Sequence, residues 1–175
     1  VKKKNGDAMI SDVITGKDDR FLVIIGLVPQ TGRTLSVIMS AASQKIQEDV
    51  ADRLIIIPRV YTNKPHTGEG YKGIASQPDP EKAPDMIEGL IAMRKMHIRA
   101  IKESGLTCAD EMLTGKLGDV EDLLSYVAIG ARSVEDQQHR LTVSGFDVAS
   151  GMKTRPAATF LLCSTPYMRH STHII

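Results

Sequence analysis

The sequence contains no tryptophan, and aromatic residues make up only 4% of it. That composition leaves little with which to build the stacking platforms of a single-stranded nucleic-acid binder. Cysteine is equally scarce: Cys108 and Cys163 stand far apart with no metal-type spacing. No disulfide framework is implied, and a reduced compartment fits. The formal net charge of +1 offers no global electrostatic argument for nucleic acid or a membrane surface. No apolar run approaches the roughly 20 residues of a membrane helix. The opening stretch VKKKNGDAMISDV has lysines but no long apolar run behind them. Neither a secretory signal nor a membrane anchor is therefore expected, and the expected location is cytoplasmic. Gly68, Gly70 and Gly73 are not followed by the Gly-Lys-Ser/Thr of a phosphate-binding loop, and the five histidines show no metalloprotease or zinc spacing. Internal repeats and low-complexity linkers are also missing.

What remains is an ordinary globular composition, 42% hydrophobic and 25% charged over 175 residues, enough for one domain with a sizeable core. Short β-branched runs alternate with helical patterns. RFLVIIG (20–26) and LIIIPRVY (54–61) predict buried strands. Between 84 and 105 the apolar positions Met86, Leu90, Met93, His97 and Ile101 recur at helical steps, and Gly105 stops the helix. LTCADEML (106–113) predicts a third strand, VEDLLSYV a short helix, VAIGAR (127–132) a fourth strand and FDVASGMK (146–153) a fifth. Before QQHR, Ser133 with Asp136 has the spacing of a capping box. Strand–helix alternation of this kind predicts an α/β fold around a parallel sheet.

In such architectures ligands sit at the carboxyl ends of strands. Here those ends carry polar residues: Arg59 to Lys72, Asp110 with Glu111, Arg132 and Lys153. Arg59, Lys64, Arg132 and Lys153 converge if the strands are parallel neighbours, and each charge-assisted bond to an anion is worth about 1.5–3 kcal/mol. Glu111 is placed to position a water or exchange a proton, and Gly130 with Ala131 to bring backbone amides near a phosphate. Each residue also has a plainer reading. A basic residue after one strand is usually solvated surface, and Glu111 alone is more often an ion-pair partner. His97 reads as a half-buried face residue, and His139 with Arg140 as helix surface or a packing hydrogen bond. Pattern alone stops at an α/β domain that binds a small anion.

The strings IIIPRVYTNKPHTGEGYKG, ADEML, DLLSYVAIGARSVEDQQHRLTVSG and GMK together resemble the type I 3-deoxy-D-arabino-heptulosonate-7-phosphate (DAHP) synthases. The likeness runs over about residues 10–26 and 46–153. It implies a (β/α)₈ TIM barrel, of which this sequence supplies about the first five parallel strands without the closing ones. It implies a homo-oligomer and a condensation of phosphoenolpyruvate with erythrose 4-phosphate that needs a divalent metal. Carried over by motif, Arg59, Lys64, Arg132 and Lys153 hold the phosphate and carboxylate of phosphoenolpyruvate, with main-chain contacts from Gly130 and Ala131. Glu111 sits by the attacking water. The stretch from Lys64 through His66 to Thr67 grips the aldose phosphate.

Three departures bear on activity. The family reads Lys-Pro-Arg-Thr where this chain reads Lys64-Pro65-His66-Thr67, and a neutral imidazole does not replace a permanent bidentate cation. After the first strand the family reads Gly-Pro-Cys-Ser, its cysteine being a metal ligand; here Val28 stands in that place. After Lys153 the family continues Asn-Pro-Thr-Ser-Gly-Asp, whereas this chain reads Thr154-Arg155-Pro156-Ala157-Ala158, without the family's remaining metal ligands. The chain is expected to be inactive and to bind no metal. A shifted reading frame would account for two of the departures. Residues 27–31 can be encoded CTT GTT CCG CAG ACN, which reads Cys-Ser-Ala-Asp in another frame. Residues 153–158 can be encoded AAA ACC CGA CCA GCG GCG, and one added A turns that into Lys-Asn-Pro-Thr-Ser-Gly. The expected organisation is a partial barrel domain over 1–153 with an aberrant segment at about 27–45, and an aberrant tail at 154–175. Both aberrant segments are expected to pack poorly.

Overall fold

The computed structural model describes residues 2–26, 33–63, 71, 73–112, 118, 120–130 and 133–152. Helix α1 (Lys2–Ile14) precedes strand β1 (Phe21–Ile25), helix α2 (Arg33–Val50) and strand β2 (Leu54–Pro58). Helix α3 (Met86–Ser104), strand β3 (Cys108–Glu111), a 3₁₀ turn (Glu121–Leu123), strand β4 (Leu124–Ile129), helix α4 (Gln137–Ser144) and strand β5 (Ala149–Met152) follow. Every strand pair among the described residues is parallel. β1 pairs with β2 in register from Phe21↔Leu54 to Ile25↔Pro58, and β3, β4 and β5 form a second ladder in chain order. The two ladders meet at the bridge Arg59↔Ala109. This is an α/β fold of parallel strands, as the alternation predicts.

The sheet has two apolar faces. On the inner one, Leu22, Ile55, Ile57, Ala109 and Tyr126 meet Ile10 of α1, with Met9, Val13 and Ile14 beside it. Gly6 of α1 lies so close to Thr107 that a Cβ there would overlap the threonine side chain. Helix α1 thus reaches the amino end of β3 and leaves the carboxyl ends open. On the outer face, Met93, Met96 and Ala100 of α3 cover Cys108, Leu124, Val127 and Ile129, with Val143 and Val148 alongside. The β3–β4 register shifts between Cys108 and Ala109, whose partners are Leu124 and Tyr126. Ser125 is the extra residue, and the bulge lets Leu124 and Val127 share one face.

Capping accounts for the limits of α3. The Asp85 carboxylate accepts from Glu88 N at 2.9 Å, and Gly105 adopts φ 69° with its N–H bonded to Ile101 O. The Arg94 fork grips Asp122 through two bonds of 2.7 Å, tying α3 to the turn before β4. That guanidinium holds the Asp122 carboxyl below its ordinary range. Gln47 of α2 covers one edge of β2, donating to Leu54 O at 2.9 Å and accepting from Ile56 N at 2.5 Å.

Several expectations need correction. VEDLLSYV is not a helix beyond its single 3₁₀ turn; Leu124 already pairs with Cys108, so β4 begins three residues before the expected start at Val127. β-Branched and aromatic residues with a waiting partner strand outweigh helical spacing. The cap of α4 is Asp136, whose carboxylate accepts from Gln138 N, rather than Ser133. On α3, Met86 is exposed, and the buried stripe runs Gly89, Met93, Met96, His97, Ala100 and Ser104. β1 is not buried on both faces: Phe21 is 60% and Ile25 47% exposed. Helix α1 has no counterpart in the sequence reading. Residues 33–45 lie within α2, while 27–32 and 154–175 lie outside the described residues. Among the described residues, no helix is long and apolar enough to cross a membrane.

Candidate functional site

Parallel pairing puts the carboxyl ends of neighbouring strands at one rim. β2 ends at Pro58 and leads into Arg59; β3 ends at Glu111; β4 ends at Ile129 beside the buried Gly130; β5 ends at Met152. Of the residues singled out from sequence, Arg59, Glu111 and Gly130 are described, and the first two are in contact. Lys64, His66, Thr67, Ala131, Arg132 and Lys153 lie outside the described residues.

Arg59 is held from both sides. Its backbone N–H donates to Ile25 O at 2.8 Å, and Val60 N donates to Ala109 O at 2.8 Å. These bonds splice the exit of β2 between β1 and β3. The guanidinium Nη2 then pairs with Glu111 Oε2, and its carbon lies 4.2 Å from the centre of the Tyr61 ring. Arg59 Nε is buried without a hydrogen-bond partner, so one donor of this guanidinium is unused. Arg59 and Tyr61 alternate with Val60, which points into the core. Tyr61 is a site residue that the sequence reading missed. Burial, then a hydrogen bond to Glu111, push its phenol up to about 12. Glu111, 3% exposed, thus has a cation and a phenol on it. Such a desolvated carboxylate is held for a role or a partner rather than left in solvent.

Asp110 does not join the rim. It points to the opposite face of β3 and is fully buried. Its Oδ1 accepts from Glu111 N at 2.7 Å and from Thr62 N at 3.4 Å, and its Oδ2 accepts from the Thr62 hydroxyl. His97 Nε2 lies 3.3 Å from the same Oδ2 but off the line of a hydrogen bond. The other ring nitrogen, Nδ1, donates to Met93 O at 2.9 Å, since a carbonyl only accepts. His97 is therefore a fully buried partner of a carboxylate, not a half-buried face residue. An ionisable residue inside an apolar strand, and a histidine on the inner stripe of a helix, were the signals for this pair. His139 forms a packing hydrogen bond, Nδ1 to Asp136 Oδ2 at 2.5 Å, at the start of α4. The bond from Gln138 N, then that from His139, hold the Asp136 carboxyl low.

The described residues do not fit a divalent metal. No group of three or more His, Cys, Asp or Glu among them is placed to hold one. The two adjacent carboxylates are taken up by Arg59, Tyr61, Thr62 and His97. Cys108 faces the apolar core, where burial pushes its thiol up to about 12, away from a ligating thiolate. Val28 lies outside the described residues.

The comparisons with known proteins agree with one another. Residues 1–170 match the model of the DAHP synthetase I family. The tyrosine-inhibited phospho-2-dehydro-3-deoxyheptonate aldolase of Candida albicans is 33% identical over 144 residues, 82% of this chain and 39% of the relative. The Phe-sensitive enzyme of Escherichia coli K12 is 35% identical over 147 residues, 82% of this chain and 41% of the relative. This chain thus spans about two fifths of the length of these curated relatives. A solved phospho-2-dehydro-3-deoxyheptonate aldolase from Francisella tularensis SCHU S4 superposes with a TM-score of 0.77 at 31% identity, covering 88% of this chain and 45% of that one. With parallel strands, an Arg–Glu pair at their carboxyl ends and a family match along nearly its whole length, the chain belongs to the DAHP synthetase I family.

Proposed function

We propose that this chain carries the phosphoenolpyruvate-binding part of a DAHP synthase and binds that acid without completing the condensation with erythrose 4-phosphate. The observation that carries the reading is the Arg59–Glu111 pair, at adjoining carboxyl ends of β2 and β3. In this reading β1 to β5 correspond to the first five strands of a (β/α)₈ barrel, and the rim is the barrel mouth. Arg59, Lys64, Arg132 and Lys153 bind the phosphate and carboxylate. Gly130 and Ala131 add backbone contacts. Glu111 holds the water that adds to the enol carbon, and Tyr61 and Arg59 keep that carboxylate oriented. Lys64 to Thr67 meet the aldose phosphate.

Two positions argue against turnover: Val28 offers no ligand where the family has a metal-binding thiolate, and His66 replaces an arginine. A cytoplasmic location and self-association belong to the same reading. So does the frame-shifted origin of residues 27–45 and 154–175, which their coding DNA tests; without the alternate-frame words, that origin fails.

Titration calorimetry with phosphoenolpyruvate, beside an assay for the seven-carbon product with erythrose 4-phosphate and a divalent metal, tests the function. Saturable binding tighter than about 1 mM with no product is expected. Binding without turnover also suits a phosphoenolpyruvate-binding partner of an intact synthase, which adding such a synthase would reveal as a change in its rate. Product formed by the chain alone refutes the inactivity, and the lack of any binding refutes the site.

A further inference from the structure

The rim depends on two ladders that are joined weakly. Among the described residues, β2 and β3 share the one bridge Arg59↔Ala109. Gln47 occupies the β2 edge at Leu54 O and Ile56 N, where a continuing β3 ladder would attach. Regular strand pairing therefore fixes the spacing of Arg59 and Glu111 at this one point only. A cluster of buried polar side chains spans the same junction. Asp110 reaches across from β3 to the β2 exit, taking the Thr62 amide and hydroxyl on one side and the Glu111 amide on the other. Asn63 Nδ2 donates to Thr62 Oγ1 at 3.2 Å, and Thr62 O accepts from Ala75 N at 3.2 Å. His97 meets Asp110 from α3 and is itself anchored to Met93 O. Thr62, Asn63, His97 and Asp110 are each at most 1% exposed, so bulk water does not substitute for any of these bonds.

We propose that Asp110, Thr62 and His97 are positioning residues: a buried clasp that fixes the exit of β2 against the end of β3, and thereby sets the spacing of Arg59 and Glu111 for an anionic ligand. None of the three touches the ligand. A buried polar cluster is a poor means of adding stability compared with well-packed apolar side chains, and its best-attested use is to specify one geometry. Here the specified geometry is the approach of two strand ends that a sheet would otherwise hold by its ladder. The Glu111 amide is bound directly by the clasp, so a shift of Asp110 moves the rim carboxylate with it. The inference rests on the reading of Arg59 and Glu111 as ligand-binding groups, and its test separates the two.

The test compares Thr62→Val, which keeps the shape and removes the hydroxyl, with Thr62→Ser, which keeps the hydroxyl. Phosphoenolpyruvate affinity by calorimetry is expected to fall about tenfold in Thr62→Val and to return to within about twofold of the parent in Thr62→Ser. Thermal melts of both variants serve as the folding control. Unchanged affinity in a folded Thr62→Val chain, or an equal loss in Thr62→Ser, overturns the clasp. Should Thr62→Val fail to fold, Thr62→Cys, with its weaker donor, takes its place. If the parent chain binds no phosphoenolpyruvate, the proposed function fails while the clasp is still tested by hydrogen exchange. The amides of Glu111 and Ala75 are then expected to exchange faster in Thr62→Val than in Thr62→Ser, with β4 and β5 amides unchanged. Equal exchange in the two variants overturns it.

Discussion

Truncating Asp110 and truncating His97 have unequal consequences for stability. Asp110→Ala strands the Glu111 amide and the Thr62 amide and hydroxyl among residues at most 3% exposed, and removes the carboxylate that faces His97 Nε2 at 3.3 Å. The Thr62 hydroxyl can rotate, and the 3.4 Å Thr62 amide bond is long, so those two losses are small. The Glu111 amide, at 2.7 Å, and the broken buried pair dominate. A stranded buried donor costs about 1–3 kcal/mol, and removal of one member of a buried pair about 3–5 kcal/mol in total. The expected loss for Asp110→Ala is thus about 3–5 kcal/mol, a large share of the 5–15 kcal/mol typical of a domain. His97→Leu replaces the ring by an apolar side chain of similar bulk and leaves Asp110 with its three backbone and hydroxyl donors. Its expected cost is about half as large. The two side chains are in contact at 3.3 Å, and the double variant loses that contact once rather than twice, so the combined loss should fall short of the sum by about 0.5–3 kcal/mol. Urea unfolding, at an unchanged slope against denaturant, reads all three. Equal losses for the two single variants, or strict additivity in the double, refute the assignment of Asp110 as the centre of the network.

Glu111→Gln removes a hydrogen bond and a charge that help raise the Tyr61 phenol, so tyrosinate absorbance should show one tyrosine titrating below its parent value of about 12; no movement would place Tyr61 away from Glu111. Because the folded value lies above the ordinary phenol value of 10.0, the Tyr61 contribution to stability is complete below pH 10 and is lost as pH rises toward 12. Gly151→Ala puts a methyl group onto the Tyr126 hydroxyl in the inner core, and an overpacking cost of about 1–3 kcal/mol is expected from its chemical unfolding midpoint. Asp136→Asn removes a carboxylate held below 3.8 by Gln138 N and His139. The parent's α4 cap is present above pH 3.8 and lost as pH falls through the lower folded value, so the variant should show a shallower acid decline in helix signal.

The strand runs that are continuous in β-branched residues were legible, because a parallel sheet covered on both faces needs little alternation. LIIIP and the run around Val127 are of this kind. Helix α1 was not legible, since Gly6 has poor helix propensity and the lysines before it crowd the positive end of the helix dipole. What holds it there is contact with residues far along the chain, Thr107 and the inner faces of β4 and β5. Local spacing likewise misread residues 124–126, where pairing with Cys108 and Ala109 outweighs helical periodicity. At the site, Arg59 and Glu111 were recognisable as strand-end residues of opposite charge. Tyr61 was not, although it shares a face with Arg59 by simple alternation.

The chain's order of residues was enough to establish parallel α/β architecture, the family motifs, and that Arg59 and Glu111 sit at strand ends, because each follows from local composition and spacing. Which face Asp110 takes, that His97 reaches it from α3, and that Arg59 lies against Glu111 were decided only by the fold. These are pairings across 13 to 52 residues of chain, set by how helix and strands pack together rather than by any neighbour in sequence.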